Sequence, residues 1–127
     1  MQKEFRALLK GSAAVSALAS AIDWGLLPQS VALPAIALEL IDNADGLTMQ
    51  GPDGLWRGRV QVDCYAGTYG GAVALSEAVI DLLSGYRSGN WRLIMLVAQR
   101  SNTETRASDQ PYRISVDFMT NWRKTNG

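Results

Sequence analysis

At 127 residues, 47% hydrophobic and 19% charged, the chain has the length and composition of one globular domain with its own core, which excludes a disordered or coiled-coil polypeptide. Twelve basic and twelve acidic side chains cancel, so the clustered basic excess of a DNA- or RNA-binding surface is missing and little self-repulsion opposes association. There is no histidine and one cysteine, Cys64: Ser–His and Cys–His nucleophiles cannot be built, zinc would need carboxylates plus one thiol, and an internal disulfide is impossible, which points to a reducing compartment.

The first 22 residues follow a helical period. Leu8, Val15, Leu18 and Ile22 share one face, Ser12, Ser16 and Ser20 form a neighbouring stripe, and Lys3, Arg6 and Lys10 form a third, continued by Ala13, Ala17 and Ala21. The basic start, the small apolar residues from 13 to 21 and Ala19-Ser20-Ala21 also resemble a signal peptide. Glu4 within the basic region and serines at every fourth position favour a soluble amphipathic helix instead. Trp24-Gly25 stops it, and Pro28 and Pro34 keep the following connector extended.

Residues 35–41 alternate with a period of two and predict a strand with Ile36, Leu38 and Leu40 facing one way. Residues 42–54 are dense in turn formers on both sides of Leu47-Thr48-Met49-Gln50, which predicts an extended hairpin arm or a loop with a short strand. Trp56 leads into residues 59–83, the stretch around which the rest of the chain is organised. Val60, Val62 and Cys64 fall on one side of a strand and Arg59, Gln61, Asp63 and Tyr65 on the other. The period then becomes helical, with Thr68 as N-cap and Gly85 as stop. Ala72, Leu75, Val79, Leu82 and Leu83 make a broad apolar face, extended by Val73 and Ile80, with Glu77 and Asp81 opposite. Gly70 and Gly71 in its first turn weaken helix propensity by about 1 kcal/mol each.

Residues 91–99 are apolar on both faces, Ile94 and Leu96 against Leu93, Met95 and Val97, which predicts a strand in the middle of a sheet or laid against another subunit. Residues 100–110 are wholly polar and predict a loop that is mobile or ordered by a partner. Residues 112–122 close the fold as a strand with Tyr112, Ile114, Val116 and Phe118 inward and Arg113, Ser115 and Asp117 outward, before a polar tail anchored by Trp122. The expected fold class is α+β in the order α-β-β-α-β-β: a four-stranded, mainly antiparallel sheet with two helices packed on one face, in a single domain spanning 1–127. No apolar run approaches the ~20 residues of a membrane span.

Candidate chemistry is sparse. Cys64 lies on the apolar side of its strand with no cation beside it in sequence and reads as a core residue. Asp63 and Asp42 could be paired carboxylates, but solvated strand and turn positions explain them better. Gly67-Thr68-Tyr69-Gly70-Gly71 sits between strand and helix without dinucleotide spacing, and there is no P-loop motif. No catalytic residue, metal site or cofactor is expected. Trp56-Arg57, Tyr86-Arg87, Trp91-Arg92 and Trp122-Arg123 suit protein contacts better than base stacking in a neutral chain. Arg59, Gln61, Asp63 and Tyr65 form either a solvated face or one wall of a subunit interface. The basic stripe Lys3, Arg6 and Lys10 would complement Glu77 and Asp81 head to tail around a ring, each exposed pair contributing ~0–1 kcal/mol.

The order of these pieces resembles a known family. An N-terminal helix precedes a proline-flanked strand (Leu33-Pro34-Ala35-Ile36), then Gly-Pro-Asp-Gly-Leu at 51–55, Arg-Val-Gln-Val-Asp-Cys-Tyr at 59–65, Thr68-Tyr69 followed by Ala72, and an apolar helix. Together these look like the tail-completion or tail-terminator proteins of long-tailed bacteriophages and gene transfer agents. The resemblance runs from about residue 8 to 118, rests on order and spacing rather than on any single motif, and departs from the pattern at Gly70-Gly71. It implies a non-enzymatic structural virion protein: a homo-oligomer, a hexameric ring, that caps the tail tube protein's polymer, terminates tail polymerisation and joins the tail to the head connector (stopper) protein. It further implies assembly in the bacterial cytoplasm, a place at the head–tail junction in the particle neck, DNA passing through the lumen without specific binding, and no membrane. With the arms at 42–54 and 100–110 as candidate contacts, the expected interface residues are Lys3, Arg6, Lys10, Leu47, Met49, Arg59, Gln61, Asp63, Tyr65, Glu77, Asp81, Glu104 and Arg106. The rival is a small cytosolic α+β enzyme, or a ligand-binding or regulatory oligomer, using a pocket beneath Trp24 and Trp91; the missing histidine and phosphate loop count against it.

Overall fold

Ser12 decides how the N-terminal segment folds. In the computed structural model, which describes residues 1–25, 31–48, 51–101 and 111–123 (side chains of 45–48 and 51–53 excepted), Ser12 is extended, with φ −83° and ψ 123°. It ends α1 (Gln2–Gly11) and caps α2 (Ala13–Leu18), its hydroxyl accepting a hydrogen bond from the Val15 N–H at 3.4 Å. The single helix expected from the periodicity is therefore two. The last residues of that helical pattern, moreover, are a strand, β1 (Ala21–Trp24). A parallel ladder from Ala21↔Ala35 to Trp24↔Leu38 offers this segment backbone partners that a frayed helix end lacks. The buried face changes accordingly. Phe5, Leu9 and Val15 are fully buried, Leu18 is exposed, and Ile22 joins the core from the strand.

The remaining elements are β2 (Ala35–Thr48), β3 (Gly51–Ala66), α3 (Tyr69–Leu83), β4 (Trp91–Ser101) and β5 (Tyr112–Arg123). Among the described residues there are thus three helices and one five-stranded mixed sheet, ordered β1-β2-β3-β5-β4, in place of two helices and four strands. All pairs but β1–β2 are antiparallel. β2 and β3 pair out to Leu47↔Pro52 and Thr48↔Gly51, so the turn-rich stretch is an extended hairpin arm; Met49 and Gln50 lie outside the described residues.

Alternation is kept through the middle of the sheet. Ile36, Leu38, Val60, Val62, Cys64, Ile114, Val116 and Phe118 form the inner face, and the helices cover it with Phe5, Leu9, Val15, Leu75, Val79 and Leu83. Each large apolar side chain so buried contributes roughly 1.5–3 kcal/mol. The Phe5 ring lies between Trp24 and Trp91, at centroid distances of 6.1 and 5.9 Å, and fills the space in which a pocket beneath the two tryptophans was expected.

The start of α3 explains its glycines. Thr68 is extended, and its Oγ1 accepts from the Gly71 N–H at 3.0 Å. A Cβ on Gly71 would stand 2.9 Å from that oxygen and 3.2 Å from the Ala66 Cβ, whereas one on Gly70 would meet nothing within 4 Å. Gly85, at φ +80°, takes the chain out of the helix after Ser84.

β4 corrects another expectation. Its two apolar faces suggested a strand in the middle of the sheet or laid against another subunit; within the described sheet it is an edge, which rules out the first. The turn after α3 covers its first half: the Gly85 N–H donates to the Ile94 carbonyl (2.8 Å), the Ile94 N–H donates to the Tyr86 carbonyl (3.0 Å), and Ser88 and Trp91 exchange both bonds. Met95, Leu96 and Val97 beyond it are exposed.

Candidate interaction surfaces

The face of the sheet that bears no helix presents a polar ladder. The register sets Gln61 opposite Asp117, Asp63 opposite Ser115 and Tyr65 opposite Arg113. Asp117 is only 3% exposed although no described helix or strand lies over it. Two half-exposed arginines lie over it. Arg59 Nη2 donates to Oδ2 at 2.6 Å, and Arg100 donates from Nη1 to Oδ2 at 2.9 Å and from Nη2 to Oδ1 at 3.2 Å. Burial pushes the Asp117 carboxyl up, but the hydrogen bonds from Arg100 and Arg59 outweigh it and hold the group below its ordinary value. The ladder continues from Arg100 Nη2 to Gln61 Oε1 (3.3 Å), from Gln61 Nε2 to Asp63 Oδ1 (2.9 Å), and from the Ser115 hydroxyl to the same Asp63 oxygen. Arg113 Nε is buried without a hydrogen-bond partner among the described residues, and Tyr65 is half-buried beside it.

Four of the ladder's members escaped sequence reasoning as site residues: Arg100, Arg113, Ser115 and Asp117. The alternation of β5 already pointed Ser115 and Asp117 outward. Arg100 gave no such signal, because a bulge between Leu96 and Ala98 shifts the register and brings it opposite Ser115. The bulge turns Gln99 the other way, where its Nε2 donates to the Ser76 hydroxyl of α3 at 3.2 Å.

Asp42 and Asp63 do not meet as a carboxylate pair: on the β2–β3 ladder Asp42 lies opposite Arg59 and Asp63 opposite Ala37. Cys64 is fully buried on the inner face, where desolvation, with a smaller contribution from the Asp63 charge, pushes its thiol up to about 12. Among the described residues no group of three or more Cys, Asp or Glu side chains is placed to hold a metal, and no helix is long and apolar enough to cross a membrane.

The helical layer carries the other expected residues. Lys3 and Lys10 are exposed on α1, but Arg6 between them turns back, donating from Nε to the Ile22 carbonyl (2.6 Å) and from Nη2 to Asp23 Oδ1 (3.1 Å). The basic stripe is therefore two lysines with an arginine bound to β1. Glu77 and Asp81 are exposed on α3 and line a shallow groove against Ser12 and Ala14, floored by Ala74 and Ala78. Leu47 lies on the arm of β2, and Met49, Glu104 and Arg106 lie outside the described residues, as does most of the polar stretch 100–110.

The Asp63 and Asp117 carboxylates are tied into the ladder, and the Cys64 thiol is protonated in the core. A family model described as Tail completion protein gp17 matches residues 3–122, from α1 to the end of β5. The chain belongs to that family. As a member it is a structural tail protein. Its fold is also that of a chain in the solved structure "Virion of native gene transfer agent (GTA) particle", with a TM-score of 0.68 over 93% of this chain and 90% of that chain at 21% identity. Among curated proteins none matches.

Proposed function

We propose that this tail completion family member forms a homo-hexameric ring that caps the tail tube, ends tail polymerisation and joins the tail to the head connector (stopper) protein in the neck of a phage or gene-transfer-agent particle. The observation that carries the reading is the family match over residues 3–122. The hexameric count follows the resemblance to tail terminators. In this reading residues 1–127 act as one tail-terminator-like domain that assembles in the bacterial cytoplasm.

The surfaces support it physically. Lys3 and Lys10 on α1 and Glu77 and Asp81 on α3 are opposite in sign and displayed on the same helical layer, so a head-to-tail contact brings them together. Arg59, Gln61, Asp63 and Tyr65, with Leu47 on the arm and Met49, Glu104 and Arg106 outside the described residues, supply the remaining contacts to neighbours, tube or connector. Equal numbers of basic and acidic groups suit a lumen that lets DNA pass without holding it.

The test is to add the purified protein to polymerising tail tubes and follow tube length by electron microscopy and complex mass by mass photometry. Tubes that stop growing and carry one six-copy ring at the end are the expected result. Tubes that grow past added protein, with the protein monomeric throughout, would overturn the reading. Charge reversal at Glu77 and Asp81 that leaves the ring intact would remove the helical contact from it.

A further inference from the structure

The sheet's two edges are finished differently. At β1 the outward Ile22 carbonyl is occupied by Arg6, which also binds Asp23. At β4 the turn through Gly85, Tyr86 and Ser88 occupies the first half, and past Ile94 no backbone hydrogen bond among the described residues continues that edge. The bare half opens with Met95, Leu96 and Val97, exposed by 44, 40 and 45%. A bare apolar edge is what monomeric sheet proteins avoid.

A second bare stretch exists on the opposite side of the sheet. β1 covers β2 only as far as Leu38, whose carbonyl takes the Gly25 N–H at 2.9 Å. Beyond it the outer edge of β2 has no strand partner among the described residues. There Ile41 is 48% exposed at a bulge between Leu40 and Asp42, just as Val97 stands at a bulge on β4.

We infer that neighbouring copies of this chain dock edge to edge, the open half of β4 in one copy against the outer edge of β2 beyond Leu38 in the next, with Val97 against Ile41. Three observations select this occupant. Two bulged apolar residues flank the contact from opposite sides. The charged residues beside the two open stretches are complementary: Arg100 on β4, Glu39 and Asp42 on β2, all exposed. Finally, β4 already runs antiparallel to β2 through β3 and β5, so a copy placed alongside in the same sense meets its neighbour as an antiparallel pair. The heterologous contact repeats from copy to copy and closes into a ring, so the inference rests on the ring reading above while adding its joint.

A double variant, Ile41→Cys with Val97→Cys, tests it on tube-bound protein under mild oxidation, with ring mass measured on the same sample. A ladder of covalent species up to the complete ring is expected, with each single variant uncrosslinked. Rings of full mass that give no ladder would overturn the edge contact and leave the ring standing. Dimers from Val97→Cys alone would overturn it in favour of β4 self-pairing, and the absence of any ring would overturn both readings.

Discussion

Arg59 on β3 and Asp117 on β5 are diagonal neighbours whose charged atoms approach to 2.6 Å on the face of the sheet that no helix covers. Arg100 reaches the same carboxylate from β4, so three adjacent strands are tied at one residue. The contact stitches the sheet where the hydrophobic core cannot, on the side facing away from it.

Asp117→Asn keeps the shape and removes the countercharge of two guanidinia. Both arginines are half-exposed and screened, so the expected loss is about 1–2 kcal/mol in urea unfolding rather than the larger cost of a fully buried pair. Because the folded carboxyl titrates below its unfolded value, its contribution is complete above the ordinary carboxylate range and is lost as pH falls through the folded value. The gap between wild type and variant therefore narrows in acid. A gap that stays constant from neutral pH down to about pH 2 would refute this role.

The two adjacent glycines of α3 respond in opposite directions. Gly70→Ala meets open space and gains helix propensity, for an expected stabilisation of about 0.5–1 kcal/mol. Gly71→Ala drives a methyl into the Thr68 cap, and losing that cap costs about 1 kcal/mol, which cancels or exceeds the same gain. Thermal midpoints of the two variants measured side by side check this; equal shifts would show that the cap does not constrain Gly71.

Cys64 is expected to resist alkylation in the folded protein and to react fully after unfolding in denaturant. Burial keeps the thiol neutral, so its contribution to stability is complete below about pH 9 and is lost as pH rises from there towards 12. Labelling at neutral pH at the rate of a free thiol peptide would contradict the inner-face position.

Phe5→Ala separates the observed helix face from the one the periodicity suggested. Phe5 is fully buried between Trp24 and Trp91, and its truncation is expected to cost about 3–5 kcal/mol. Leu18→Ala, at an exposed position on α2, is expected to cost less than about 1 kcal/mol. Chemical denaturation of both variants provides the comparison, and the reverse ranking would restore the single-helix face.

Local pattern determined much of this protein. The alternation through Val60, Val62 and Cys64, the helix with its Thr68 cap and Gly85 stop, the inward Ile114, Val116 and Phe118, and the family are all legible residue by residue. Spacing along a chain encodes which side chains share a face, and a face needs no knowledge of its partner. Three matters were left to the tertiary structure. Ala21–Trp24 became a strand because β2 offered it a ladder, β4 became an edge because β5 lies between it and β3, and one bulge brought Arg100 to Asp117. Each depends on pairing between distant segments, where the competing local choices differ by about 1 kcal/mol and a backbone partner outweighs them.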